Sequence, residues 1–149
     1  MLTSLLFSAG LLSFLSADPP VAQLELPAGF KVELYAQVEN TRQMALGSNG
    51  TVFVGSRKAG KVRALVDEDG DYRVDRTFLI ASGLNMPSGI AFRNGDLYVA
   101  AVNRVLRYDN IESRLADPPE PVVITNTLPD GSMLVSDDYA DAVYRISYR

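Results

Sequence analysis

The 149 residues are 47% hydrophobic and 21% charged, a composition that fits one globular domain and excludes disorder and collagen-like structure. With no Cys, His or Trp, the chain has no disulfide, no zinc site of the usual nitrogen or sulfur kind, no thiolate nucleophile and no imidazole base, and any metal it takes is a hard cation on oxygen ligands. The net charge of -4 comes without a basic run, so nucleic acid is excluded as an expected partner.

Residues 1 to 17 (MLTSLLFSAGLLSFLSA) carry no charged side chain. Their apolar stretch from Leu5 to Leu15 is too short, at 1.5 Å per helical residue, to span the ~30 Å of a bilayer core. The segment reads as a signal peptide, with the small residues Ser16 and Ala17 marking a cleavage point before Asp18. The expectation is a secreted or periplasmic protein without a stable membrane span, its folded domain running over 18 to 149.

The rest is organised by a repeat. Asn49-Gly50, Asn94-Gly95 and Asp130-Gly131 each precede a short β-rich run, Val52-Phe53-Val54, Leu97-Tyr98-Val99 and Met133-Leu134-Val135. Such pairs tolerate the positive φ of tight hairpins, so each predicts two antiparallel strands joined by a two-residue turn. A third strand is expected at Val62 to Leu65, Val105 to Tyr108 and Val143 to Ile146, and a fourth at Arg76 to Ile80 and at Val122 to Ile124. Four-stranded antiparallel units recurring at about 45 residues are the pattern of β-propeller blades. Gly95 to Gly131 is shorter, so the stretch at 124 to 128 has to serve two blades. The predicted fold class is all-β, a partial β-propeller of about two to three four-stranded antiparallel blades, fewer than the roughly four that close a ring. Its open blade edges make self-association a further expectation.

In such blades alternate loops share a rim. Arg42-Gln43, Arg57-Lys58, Asn85-Met86, Asn103-Arg104 and Asp137-Asp138-Tyr139 are expected to converge on one rim. The acidic run Asp67-Glu68-Asp69-Gly70-Asp71-Tyr72-Arg73-Val74-Asp75 falls on the opposite rim. Asp67, Asp69, Asp71 and Asp75 stand at positions 1, 3, 5 and 9 of a calcium-type loop, but Gly70 occupies position 4 rather than 6, and Phe78 stands where a bidentate Glu is wanted. An acidic hairpin turn is the simpler account, with these four carboxylates as candidate structural calcium ligands.

Five segments in order carry a family resemblance: Leu26-Pro27-Ala28-Gly29-Phe30-Lys31-Val32, Thr41-Arg42-Gln43-Met44-Ala45-Leu46, Val54-Gly55-Ser56-Arg57-Lys58-Ala59-Gly60-Lys61-Val62, Gly83-Leu84-Asn85-Met86-Pro87-Ser88-Gly89-Ile90-Ala91-Phe92 and Asp96-Leu97-Tyr98-Val99-Ala100. Together they resemble the N-terminal part of the soluble sorbosone/glucose dehydrogenase family, six-bladed propellers that use pyrroloquinoline quinone and calcium to oxidise sugars in the periplasm. Residues 130 to 149 resemble that family's C-terminus. The resemblance implies a sugar as substrate, and places quinone-carboxylate binding on the rim that carries Arg42, Gln43, Arg57, Lys58 and Asn85. It also implies a loss: a family segment with a His-His-Gly-Trp motif and the catalytic base would follow Leu128-Pro129, where this chain runs straight into the terminal motif. The expectation is a shortened relative of a quinone-dependent aldose or sorbosone dehydrogenase, with no catalytic residue of its own and no sugar oxidation alone. Two alternatives stand beside it: a calcium-dependent lactonase of propeller type, and a non-catalytic binding or assembly module.

Overall fold

A computed structural model describes residues 24–126 and, as backbone alone, 133–137 and 142–146. The expected signal peptide, the Asp130-Gly131 turn and Asp138-Tyr139 lie outside the described residues. The chain divides into two compact units, Met1–Leu34 and Tyr35–Arg149. In the described part of the first, the Phe30 N–H donates to the Pro27 carbonyl at 3.1 Å, and Lys31 pairs with Glu33 at 2.8 Å on the exposed surface.

The second unit is all-β. β1 (Thr41–Leu46), β2 (Val52–Ser56), β3 (Val62–Val66) and β4 (Arg76–Ala81) form one antiparallel meander. β5 (Gly89–Arg93), β6 (Asp96–Ala101), β7 (Arg104–Tyr108) and β8 (Val122–Thr125) form a second, with a short 3-10 turn over Ile111–Arg114 between β7 and β8. β9 (Met133–Asp137) and β10 (Ala142–Ile146) pair as a two-stranded antiparallel sheet. All four strands expected in each of the first two units are present, including the fourth at Val122. The sheets do not close into a ring among the described residues. No helix there is long and apolar enough to cross a membrane.

Turn chemistry explains the strand register at one hairpin directly. Arg93 faces Asp96, so Asn94 (φ 53) and Gly95 (φ 90) alone make the β5–β6 turn, with positive φ at both central positions. The β1–β2 connection differs from the expected two-residue turn. The Gly47 N–H donates to the Thr51 carbonyl at 2.8 Å, which extends the ladder and leaves a three-residue loop, 48 to 50, with Gly50 at φ 84.

That longer loop has a partner. The Glu112 carboxylate, from the connection after β7, accepts the N–H groups of Ser48 and Asn49, each at 3.0 Å. It clamps the two sheets together at the end opposite the rim. Hydrogen bonds to a charged group contribute ~1.5–3 kcal/mol where shielded and less in the open. Glu112→Ala is therefore expected to lower unfolding stability by ~1–2 kcal/mol, read by urea denaturation followed by far-UV circular dichroism; an unchanged midpoint would show the clamp to be idle.

The core lies between the sheets. Side chains alternate across a strand, so Phe53, Val62 and Ala64 from the first sheet and Ile90, Leu97, Val99, Leu106 and Tyr108 from the second form one buried cluster. Phe53 stacks on Phe92 with ring centroids 5.6 Å apart and planes 11° from parallel. β1 and β2 both contact β5, which holds the start of the second meander beside that of the first.

Candidate functional site

Within each meander the start of the first strand, the loop between the second and third, and the end of the fourth share one end. Three backbone-level ties bring those ends of the two sheets together. The Leu84 N–H donates to the Gly60 carbonyl at 3.1 Å, the Val102 N–H to the Asn85 carbonyl at 3.0 Å, and the Ile90 N–H to Gln43 Oε1 at 3.3 Å. The rim expected from the repeat is thereby assembled.

Arg42 and Gln43 occupy a bulge. Thr41 faces Ser56 while Met44 faces Val54, so β1 carries one residue more than β2 between these pairs. Bulges bend a strand and re-aim its side chains. Here Arg42 and Gln43 line a shallow hollow of about 330 Å³ with Ser88 and Gly89. Gln43 is committed through its carboxamide oxygen to Ile90, and Ser88 Oγ donates to the Met86 carbonyl at 3.1 Å. That leaves Arg42 as the charged group of the hollow.

Arg57 and Lys58 sit on the neighbouring β2–β3 loop. Its neck is closed by Ser56, whose Oγ donates to the Lys61 carbonyl and accepts the Lys61 N–H, both at 2.8 Å. The loop is held against the start of β1 by Asn40, which stands in the left-handed region at φ 56. The Asn40 carbonyl accepts the Arg57 N–H at 3.1 Å, and its side-chain Oδ1 accepts the N–H groups of Lys58 and Ala59. Asn40 is the residue sequence reasoning missed; its signal was an Asn just ahead of a strand, a type that tolerates positive φ.

Arg42, Arg57 and Lys58 are exposed and make no ion pair among the described residues, whereas Lys61 pairs with Glu39 at 3.1 Å beside them. Asn85 is exposed in the loop leading to β5 but does not line the hollow. Arg104, expected on this rim, turns instead onto the inward face of β7 beside Leu106. Asp137 ends β9, which is described as backbone only.

The acidic loop joins β3 to β4 at the other end. Asp67, Asp69 and Asp71 bring one carboxylate oxygen each within 4.8 Å of one another, but Asp75 is not part of this group. Its carboxylate accepts the Glu68 N–H at 2.7 Å instead. Asp67 accepts from Gly70 (2.8 Å) and Tyr72 (2.9 Å), Asp69 from Asp71 (3.1 Å), and Asp71 from Arg73 (2.8 Å). These are the side-chain-to-backbone bonds of an acidic turn. Calcium takes six to eight oxygens; three carboxylates already satisfying their own loop fall short of that set, so no role for calcium is derived from it.

No family model matches the sequence. A curated, uncharacterized protein of Borreliella burgdorferi is 23% identical over 103 residues, covering 68% of this chain and 25% of that protein. Among solved structures, the iodide structure of a Trichoderma reesei carbohydrate-active enzyme of family AA12 superposes with a TM-score of 0.51 at 22% identity, covering 73% of this chain and 30% of the other. That likeness shows the fold. The chain spans about a quarter of the length of the curated relative and under a third of the structural neighbour.

Proposed function

We propose that this chain contributes blades to a propeller-type sugar oxidoreductase, and that its rim binds the carboxylates of a quinone cofactor of the pyrroloquinoline class. The observation that carries the reading is the set of three exposed cations without ion-pair partners among the described residues, Arg42, Arg57 and Lys58, gathered at one end of the two sheets beside the hollow. The two four-stranded meanders packed through β1, β2 and β5 suit successive blades, and the sheet similarity to a carbohydrate-active enzyme supports the same scaffold. The quinone comes from the resemblance of the segments around Arg42, Arg57 and Asn85 to the sorbosone/glucose dehydrogenase family, and export of the chain belongs to the same reading.

Such a quinone, when bound, supplies a two-electron acceptor for hydride leaving a sugar carbon. The residues of this chain would bind and orient it. Arg42 offers a planar fork of donors to a carboxylate, and Lys58 a compact charge. Asn40 fixes the loop that carries Arg57 and Lys58, so ordering it costs little when the anion arrives. Gln43 and Ser88 shape the hollow while satisfying backbone groups. Sugar oxidation also needs a base to take the hydroxyl proton, and with no His in the sequence the 149 residues bind quinone without turning over aldoses.

Titration of pyrroloquinoline quinone into the purified chain tests this. The expected result is saturable binding that weakens at least about tenfold in the combined Arg42→Gln, Arg57→Gln, Lys58→Gln variant, the loss of charge-assisted pairs worth ~1.5–3 kcal/mol each when well shielded. A dye-linked assay across an aldose panel is expected to stay at background. Equal affinity in the variant overturns the assignment of the rim, and turnover overturns the inactive reading.

A second reading, an assembly module, draws on one observation. The edge strands β1 and β8 expose Met44, Leu46, Val122, Val123 and Ile124 at 41–68% of their surface. Exposed apolar edges invite pairing with other strands. A defined oligomer by light scattering in the absence of quinone would favour it.

A further inference from the structure

The largest cleft described lies away from the quinone rim, between β4 of the first sheet and β7–β8 of the second. It measures about 670 Å³ and is walled largely by apolar groups, among them Ile80, Leu84, Leu106 and Pro119. Three polar side chains also line it: Arg104, Tyr108 and Glu120.

Arg104 is out of place by the rules that govern the rest of this sheet. Residues 104, 106 and 108 alternate onto one face of β7, and Leu106 and Tyr108 on that face are buried at 2% and 3% exposure. A guanidinium stays charged in any protein environment and is a donor only. Yet Arg104 Nε is buried and has no hydrogen-bond partner. A buried donor left unmade is costly, and native structures rarely tolerate one without a reason. Facing a cleft of this size, the missing acceptor has room to arrive from solution. The neighbouring phenol is in its donor form: burial first, and then the charge of Glu120, push the Tyr108 pKa above its ordinary value of 10.0, against the opposing pull of Arg104.

We propose that this cleft binds a small monocarboxylate with an aliphatic body, its carboxylate accepting from Arg104 Nε and its hydrocarbon lying on Ile80, Leu84 and Leu106. A planar carboxylate matches the edge of a guanidinium. Glu120 disfavours a doubly charged anion such as phosphate, since the cleft holds one cation and one carboxylate. The apolar wall selects a branched or straight hydrocarbon over a bare ion. This site is separate from the quinone rim and stands whether or not that rim binds quinone.

The test is calorimetric titration of the full chain with 4-methylpentanoate, its amide 4-methylpentanamide, and inorganic phosphate. The expected result is saturable binding of the carboxylate, at least tenfold weaker binding of the amide, and none of phosphate. Arg104→Lys is expected to weaken the carboxylate at least tenfold, and Arg104→Met to abolish binding, while Arg42→Gln leaves it unchanged. Absence of carboxylate binding, an amide that binds equally well, or undiminished affinity in Arg104→Lys overturns the proposal. Should the Arg104 variants fail to fold, the carboxylate-against-amide comparison on the unaltered chain, repeated as a thermal shift, decides it alone.

Discussion

Phe53→Ala is expected to cost ~3–5 kcal/mol of unfolding free energy, the range for deleting a buried aromatic ring. Phe53 is completely buried and stands on β2 where the two sheets meet, its ring stacked on Phe92 of β5. Removing it forfeits the transfer free energy of the ring and leaves a cavity walled by both sheets, whose backbones are held apart by their own ladders and cannot collapse fully. The stack adds coupling: a double-mutant cycle with Phe92→Ala is expected to return ~0.5–1.5 kcal/mol. Chemical denaturation followed by circular dichroism measures both. A loss under ~1 kcal/mol for Phe53→Ala would place the main packing elsewhere.

Gly55→Val is expected to be comparably damaging for the opposite reason. Gly55 sits near the end of β2 where the chain entering β5 passes against it, and a Cβ there would stand 2.3 Å from the Pro87 carbonyl oxygen and 2.7 Å from Ile90 Cγ1. The first obstacle is backbone and cannot rotate away. A valine therefore pushes β5 off β2, which strains the Gln43 to Ile90 hydrogen bond and the hollow it shapes. Overpacking typically costs ~1–3 kcal/mol, and more when the main chain has to move. The variant should also lose quinone affinity, a readout that Phe53→Ala need not share, since that change lies deeper between the sheets. Wild-type stability in Gly55→Val would contradict the close approach of the two strands.

Much of the architecture was legible because the deciding interactions are local. Asn94-Gly95 specifies a two-residue turn by backbone preference alone, and β5 to β7 follow from it by period-2 alternation. Asn49-Gly50 carried the same signal and gave a longer loop, because Glu112, 63 residues away from Asn49, supplies an acceptor for the N–H groups of that loop. No local pattern announces such a partner. The rim was likewise legible as topology, since strand order alone places residues 42, 57 and 85 at one end. Its details were not: the bulge at Arg42-Gln43 appears only in the pairing of β1 with β2, and Asn85 is spent through its carbonyl on Val102. Arg104 illustrates a conflict between two local signals. Its place beside the β6–β7 turn pointed to the rim, whereas its spacing from Leu106 and Tyr108 puts it on the buried face of β7, and the alternation of the strand decides.

The central claim is that one end of the paired sheets binds a carboxylated quinone through Arg42, Arg57 and Lys58. The most direct measurement is the backbone amide NMR spectrum of the isotopically labelled chain, recorded with and without pyrroloquinoline quinone. The account predicts shift changes concentrated at residues 40 to 43, 57 to 60 and 85 to 90, with the acidic loop at 67 to 75 unmoved. Changes centred on that acidic loop, or a spectrum indifferent to the quinone, would contradict it.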